Sequence, residues 1–272
     1  MDFYEVSLNW KRIKSAVPKA RHFALDRAPT HDEIRKLLDV VHIRDRALAL
    51  VLASSGVRIG AIPRLQIADH IRRPTGIGWL RVYRGEPEEY VAMVSREASD
   101  AIESYLNFRR SAGELMNDGS PLIRDVWEIE LSARSSGEVN MTRFNGEVGE
   151  PKAPTANALQ LSIRSDWMRC GAFTPSEGVG TSRRNEFKLV HGFRKFFKTN
   201  ASRGILVRDD VEVLMGHHSN YYRPSLDHLE GEYLRAEPFL TIGTSASRES
   251  TQVKDEPNAL VDIQAKLEQL NA

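Results

Sequence analysis

Three clusters in one stretch of this chain have side chains suited to phosphodiester chemistry: His191-Gly-Phe-Arg194, Met215-Gly-His217 and the adjacent pair Tyr221-Tyr222. A tyrosine attacks a phosphodiester when cations neutralise the phosphate and imidazoles handle its oxygens and protons, because a free phenol has a pKa of about 10 and is mostly neutral at pH 7. Upstream, Arg58 in Ser54-Ser-Gly-Val-Arg-Ile-Gly60 supplies a second cation. Two guanidinium groups with planar donor forks can hold the non-bridging oxygens of a pentacoordinate phosphorus species. The set points to breakage and joining of DNA strands. Each member also has a plain structural reading. An arginine at a helix end caps carbonyls, His191 suits a helix N-terminus, Tyr221 and Tyr222 suit a core, and His217 with His218 could bind a stray metal ion.

These residues need elements to position them, and periodicity supplies a sequence of helices. Thr30-His-Asp-Glu33 is a capping-box pattern, and Ile34, Leu37, Leu38 and Val41 continue it as an amphipathic helix. The apolar run Arg44 to Ser54 predicts a buried helix that Gly56 ends, which puts Arg58 at the turn into a short helix containing Pro63. Trp79 to Arg84 and Tyr90 to Val94 read as strands around the turn Gly85-Glu-Pro-Glu88. Helical spacing returns over Glu97 to Arg110. Further helices are predicted at Ala156 to Gly171, around Leu189, Phe193, Phe196 and Phe197, at Val207 to Met215, and at Leu226 to Leu234. Residues 133 to 155, rich in Ser, Gly, Asn and Pro, read as an irregular connection. The fold class expected is mainly α with a small antiparallel three-stranded β-sheet.

Composition narrows the partners. The 272-residue chain has a net charge of +1, yet residues 181 to 208 carry eight Lys or Arg, while Leu226 onward has nine acids against four Lys or Arg. A basic block of this kind suits phosphate contact, since neutralising phosphates releases counterions. Arg183, Arg184, Lys188, Lys195 and Lys198 are the candidate DNA-binding residues. The single cysteine, Cys170, excludes an intramolecular disulfide and a cysteine-rich zinc site. No long apolar run or signal-peptide core is present, so a soluble protein of the cytoplasm is expected.

The motifs together resemble the catalytic domain of the tyrosine recombinase superfamily. Gly192-Phe-Arg-Lys-Phe-Phe197, Leu214-Met-Gly-His217 and Tyr221-Tyr-Arg-Pro224 are most similar to its archaeal-type integrases and tyrosine transposases, over residues 30 to 242. The resemblance implies Arg58 as the first catalytic arginine, His191 and Arg194 as the histidine-arginine pair, and His217 as the later histidine. In that scheme His191 is the base and His217 a hydrogen-bond donor to the phosphate. Tyr221 is the preferred nucleophile because Arg223 follows it by two residues, as a basic side chain often does in the family; Tyr222 is the alternative. A 3'-phosphotyrosyl intermediate, no cofactor, no metal, double-stranded DNA as partner and a DNA-associated protein of a prokaryotic or archaeal cell are all implied.

The sequence also departs from the family pattern. Only three residues separate His217 from Tyr221, where the family has a longer connection. The hairpin lacks the family's lysine; Arg84 is the possible substitute, and Lys152 a more speculative one. Gly60-Ala61 stand where an acid often follows the first arginine. Residues 1 to 29 are expected to be an N-terminal arm or the remnant of a DNA-clasping domain. Residues 243 to 272 read as a linker and a C-terminal amphipathic helix (Leu260, Ile263, Leu267, Leu270) that docks on its own domain or assists self-assembly on DNA. A type IB topoisomerase and a DNA-binding regulator that has lost catalysis are the alternative functions.

Overall fold

The computed structural model describes residues 27–125, 151–173, 187–203, 206–217 and 221–243. Among them are seven α-helices: α1 (His31–Val40), α2 (Ile43–Ser55), α3 (Arg96–Ser111), α4 (Ala156–Arg169), α5 (Leu189–Arg203), α6 (Arg208–Leu214) and α7 (Leu226–Leu240). Between α2 and α3 lies a sheet of three antiparallel strands, β1 (His70–Arg72), β2 (Gly78–Val82) and β3 (Tyr90–Val94), in that order. The protein is therefore mainly helical with one small sheet. Residues 1–26 and 244–272, with Arg183 and Arg184 and most of the irregular connection, lie outside the described residues, so the expectations for both termini do too.

Helix α2 organises the core because it is apolar on all sides. All of residues 44 to 55 except Arg46 are buried, and α3, α4, α5, α7 and β3 pack around them. Its two buried charges are satisfied: Arg44 pairs with Asp45, and the Ser162 hydroxyl donates to Asp45 at 2.7 Å while accepting from Arg44 at 3.0 Å. The preceding helix begins with the expected reciprocal cap, Thr30 accepting from the Glu33 amide and Glu33 accepting from the Thr30 amide. Burial of Ile34, Leu37 and Leu38 fixes the orientation of α1.

Two elements differ from the sequence expectation. β1 falls in His70–Arg72, a run too short and polar to announce itself; it is specified by pairing, His70 opposite Leu80 and Arg72 opposite Gly78. Helix α7 continues to Leu240 instead of ending near Leu234. Tyr233, Ala236 and Leu240 extend its buried stripe, and Pro238 sits in the final turns, where the loss of one backbone donor is outweighed by packing.

Candidate nucleic-acid interface and active site

Four chain segments bring the candidate residues to one open groove of about 1050 Å³. The first is the turn after α2. Gly56 ends that helix at φ +63, and a Cβ there would lie 2.6 Å from the Phe197 ring, so only glycine lets α2 end against α5. Two residues later Arg58 caps the 3-10 helix Ile59–Arg64 and projects into the groove.

The second segment is α5. His191, Arg194, Lys195 and Lys198 recur at helical spacing, so one face of this helix lines the groove, with Lys188 just before its first turn. Phe193, Phe196 and Phe197 lie on the other side and are buried, which sets the rotation of the basic face. The third segment is α4, from which Arg164 adds another cation to the wall. The fourth is the end of α6, which brings His217.

The route from α6 to His217 is a Schellman turn. The Gly216 amide donates to the Val213 carbonyl at 2.9 Å, and the His217 amide donates to the Glu212 carbonyl at 2.9 Å. Gly216 adopts φ +74, with the Tyr90 ring so close that a Cβ would lie 2.6 Å from it. The reversal carries the His217 ring back over the last turn of α6, where Nδ1 meets the Glu212 carboxylate. Lys198 binds the other Glu212 oxygen. This lysine first, and His217 second, hold the Glu212 carboxyl down at about 2.

On its other side His217 meets both arginines. Its Nε2 lies 2.9 Å from Arg194 Nη2 and 3.2 Å from Arg58 Nη2. A guanidinium only donates, so Nε2 accepts and the ring proton resides on Nδ1, directed at Glu212. His217, expected to donate to phosphate, is thus an acceptor in this state. Arg194, only 8 % exposed, also donates to the carbonyls of Gly56 and Met215, the latter at 2.9 Å. Burial, followed by the charge of Arg58, lowers its pKa. It therefore ties together the ends of α2 and α6 while turning one edge toward the groove.

The tyrosines lie elsewhere. Tyr221 is 99 % exposed and outside the groove lining. Tyr222 donates to buried Asp210 at 2.6 Å, and that bond, ahead of burial, pushes its phenol up to about 12. Nor does the groove contain the suggested substitutes for the hairpin lysine. Arg84 lies 3.6 Å from buried Asp69, Lys152 uses its carbonyl to accept from the Asp125 amide, and the hairpin side chain that lines the groove is Tyr83, at φ +58.

Sequence reasoning missed Glu212, Arg164 and Tyr83. Glu212 had a usable signal: a glycine at the end of a helix places the following residue over the residue five positions earlier, which makes Glu212 and His217 neighbours. The other two depend on how α4 and the hairpin dock, which no local pattern encodes.

No protein-family model matches the sequence, and no curated protein matches it either. Several solved structures are similar in chain path. A XerA recombinase matches with a TM-score of 0.49 and 18% identity, over 88% of this chain and 68% of that one. An integrase from mycobacterium phage Brujita matches with a TM-score of 0.48 and 15% identity, over 85% of this chain and 64% of that one. XerH site-specific recombinase bound to its difH substrate matches with a TM-score of 0.46 and 14% identity, over 75% of this chain and 47% of that one. The chain thus spans about half the length of XerH. Among the described residues no helix is long and apolar enough to cross a membrane.

Proposed function

We propose that this protein breaks and rejoins DNA strands as a tyrosine recombinase of the integrase or transposase type. The observation that carries the reading is the meeting of Arg58 and Arg194, far apart in sequence, at His217 in a groove rimmed by Lys188, Lys195, Lys198 and Arg164. Two donor forks that converge on one point can grip the oxygens of an anion, and the lysines extend the attraction along a phosphate backbone. The motif order noted in the sequence supports the same reading.

In this mechanism the scissile phosphate sits between the two guanidinium groups. Tyr221 Oη attacks phosphorus and gives its proton to His191, the P–O5' bond breaks, and the leaving 5' oxygen takes up a proton. The groove lysines are chemically competent donors for that proton, whereas Arg84, always charged and bound to Asp69, is a poor one. Attack by a 5'-hydroxyl of another strand then reverses the chemistry and frees Tyr221. No metal or cofactor takes part. For attack, Tyr221 must reach the groove, within one protomer or in a neighbour assembled on the same DNA. The protein acts on DNA inside a prokaryotic or archaeal cell.

A nicked suicide duplex, incubated with protein and resolved on a denaturing gel, tests the reading. A covalent adduct in wild type that is lost in Tyr221→Phe is expected. DNA binding with no adduct at all would leave a DNA-binding regulator as the function. Exchange between two differently labelled duplexes, as opposed to religation of the same strand, separates a recombinase from a type IB topoisomerase.

A further inference from the structure

The hydrogen-bond directions around His217 carry an inference that rests on the proposed phosphate site and concerns its regulation. Nε2 accepts from Arg58 and Arg194, while Nδ1 donates to Glu212. The imidazole is thus neutral, and its Nε2 lone pair occupies donors that an entering phosphate would claim. Once a phosphate oxygen takes those two guanidinium donors, Nε2 is left facing an anion with a lone pair, which is repulsive. Adding a proton from solvent to Nε2 turns the contact into a charge-assisted hydrogen bond. Nδ1 cannot release its proton to the same end, because Glu212 holds it.

We infer that Glu212 is the positioning residue of this site, and that it couples anion binding to the uptake of one proton at His217 Nε2. Glu212 is suited to this on two counts. Its backbone carbonyl and its carboxylate both hold His217, which fixes the ring with Nε2 toward the groove. It also remains ionised across the working pH range, held near 2, and so offsets the charge of an imidazolium between two arginines. The cations around His217 are Arg58, Arg194 on α5 and, through Glu212, Lys198. Lys188, Lys195 and Arg164 add positive potential along the groove, His191 lies on the same wall, and Tyr90 and Tyr83 on the sheet side contribute phenols. The entering anion is what tips the balance.

Nitrogen NMR of protein labelled at histidine, titrated with sulfate at about pH 8, above the ordinary histidine range, reads this directly. Sulfate is the probe because it carries no proton of its own to donate at that pH. In wild type His217 should pass from the neutral Nδ1–H tautomer to the imidazolium as sulfate saturates, with a net uptake approaching one proton by calorimetry in buffers of different ionisation enthalpy. Glu212→Gln should bind sulfate with His217 remaining neutral. Lys198→Met, which leaves Glu212 on the histidine, should bind sulfate more weakly but keep the proton uptake. A wild-type His217 that stays neutral at saturation overturns the coupling, and uptake that survives in Glu212→Gln or vanishes in Lys198→Met overturns the role of Glu212. None of these readouts needs Tyr221 or DNA cleavage, so failure here and failure to form a covalent adduct are separate results.

Discussion

Tyr222 donates its phenolic proton to Asp210 at 2.6 Å, and His228 approaches the other carboxylate oxygen of that residue at 3.3 Å. A phenol bound to a buried carboxylate is a poor nucleophile near neutral pH, since that bond pushes its pKa up to about 12 and keeps it protonated. The same bond anchors the chain next to Tyr221. Tyr222→Phe should therefore keep adduct formation on a nicked duplex while losing about 1 kcal/mol of stability in urea titration, as Asp210 gives up a partner. An adduct that disappears in Tyr222→Phe and persists in Tyr221→Phe reverses the assignment.

Arg194 and Arg58 should separate in their effects. Arg194 is buried and holds two carbonyls as well as His217, whereas Arg58 is exposed and bonds His217. A lysine cannot reproduce a fork that reaches three acceptors. Arg194→Lys should lower both stability, by about 2 kcal/mol, and the rate of adduct formation, by about 100- to 1,000-fold. Arg58→Lys should lower the rate alone. Urea melts beside single-turnover cleavage decide this, and an Arg194→Lys protein with unchanged stability would show that the carbonyl contacts do no structural work.

The difference between these arginines marks what the sequence could convey. The helices were legible because burial imposes a period, as in the Phe193, Phe196 and Phe197 stripe that turns His191, Arg194, Lys195 and Lys198 together into the groove. The turn that presents Arg58 was legible from Gly56. Pairing across elements was not. His70–Arg72 becomes a strand only because β2 lies beside it, and Arg164 reaches the groove only because α4 docks on α5 and the 3-10 helix. The direction of the His217 hydrogen bonds needed both arginines and Glu212 in place before it could be worked out at all.

His70 gives the fold a pH dependence of calculable sign. Its ring lies in the sheet against Gly78, with Nε2 3.3 Å from the Ser99 hydroxyl, and burial lowers its pKa from 6.5 to about 4. Below about pH 6.5 the unfolded chain binds a proton that the folded chain refuses until about pH 4. Stability is thus fully present above this window and falls as pH drops through it, with a slope of at most about 1.4 kcal/mol per pH unit for one proton. His31, also lowered mainly by burial, adds to the wild-type slope in the same direction. Urea titrations between about pH 4 and 7 should give a shallower slope for His70→Asn than for wild type. Equal slopes would mean that His70 takes up its proton equally in both states.

Gly216 offers the sharpest test of how backbone geometry sets the site. It holds φ +74 at the end of α6, and a Cβ there would lie 2.6 Å from the Tyr90 ring. Gly216→Ala meets two separate penalties: strain of roughly 1–2 kcal/mol from the left-handed backbone, and a clash that either moves the ring or opens the Schellman turn. If the turn opens, the His217 amide leaves the Glu212 carbonyl and the imidazole swings away from Arg58 and Arg194. Adduct formation should then fall by at least about tenfold, since misplacement of a catalytic group by about 1 Å is enough for a loss of that order. Pairing Gly216→Ala with Tyr90→Leu removes the clash and leaves the strain. The double variant should recover much of the rate while staying less stable than Tyr90→Leu alone, as read from single-turnover cleavage and urea melts. A single variant that cleaves at the wild-type rate would mean that His217 does not depend on this turn for its position.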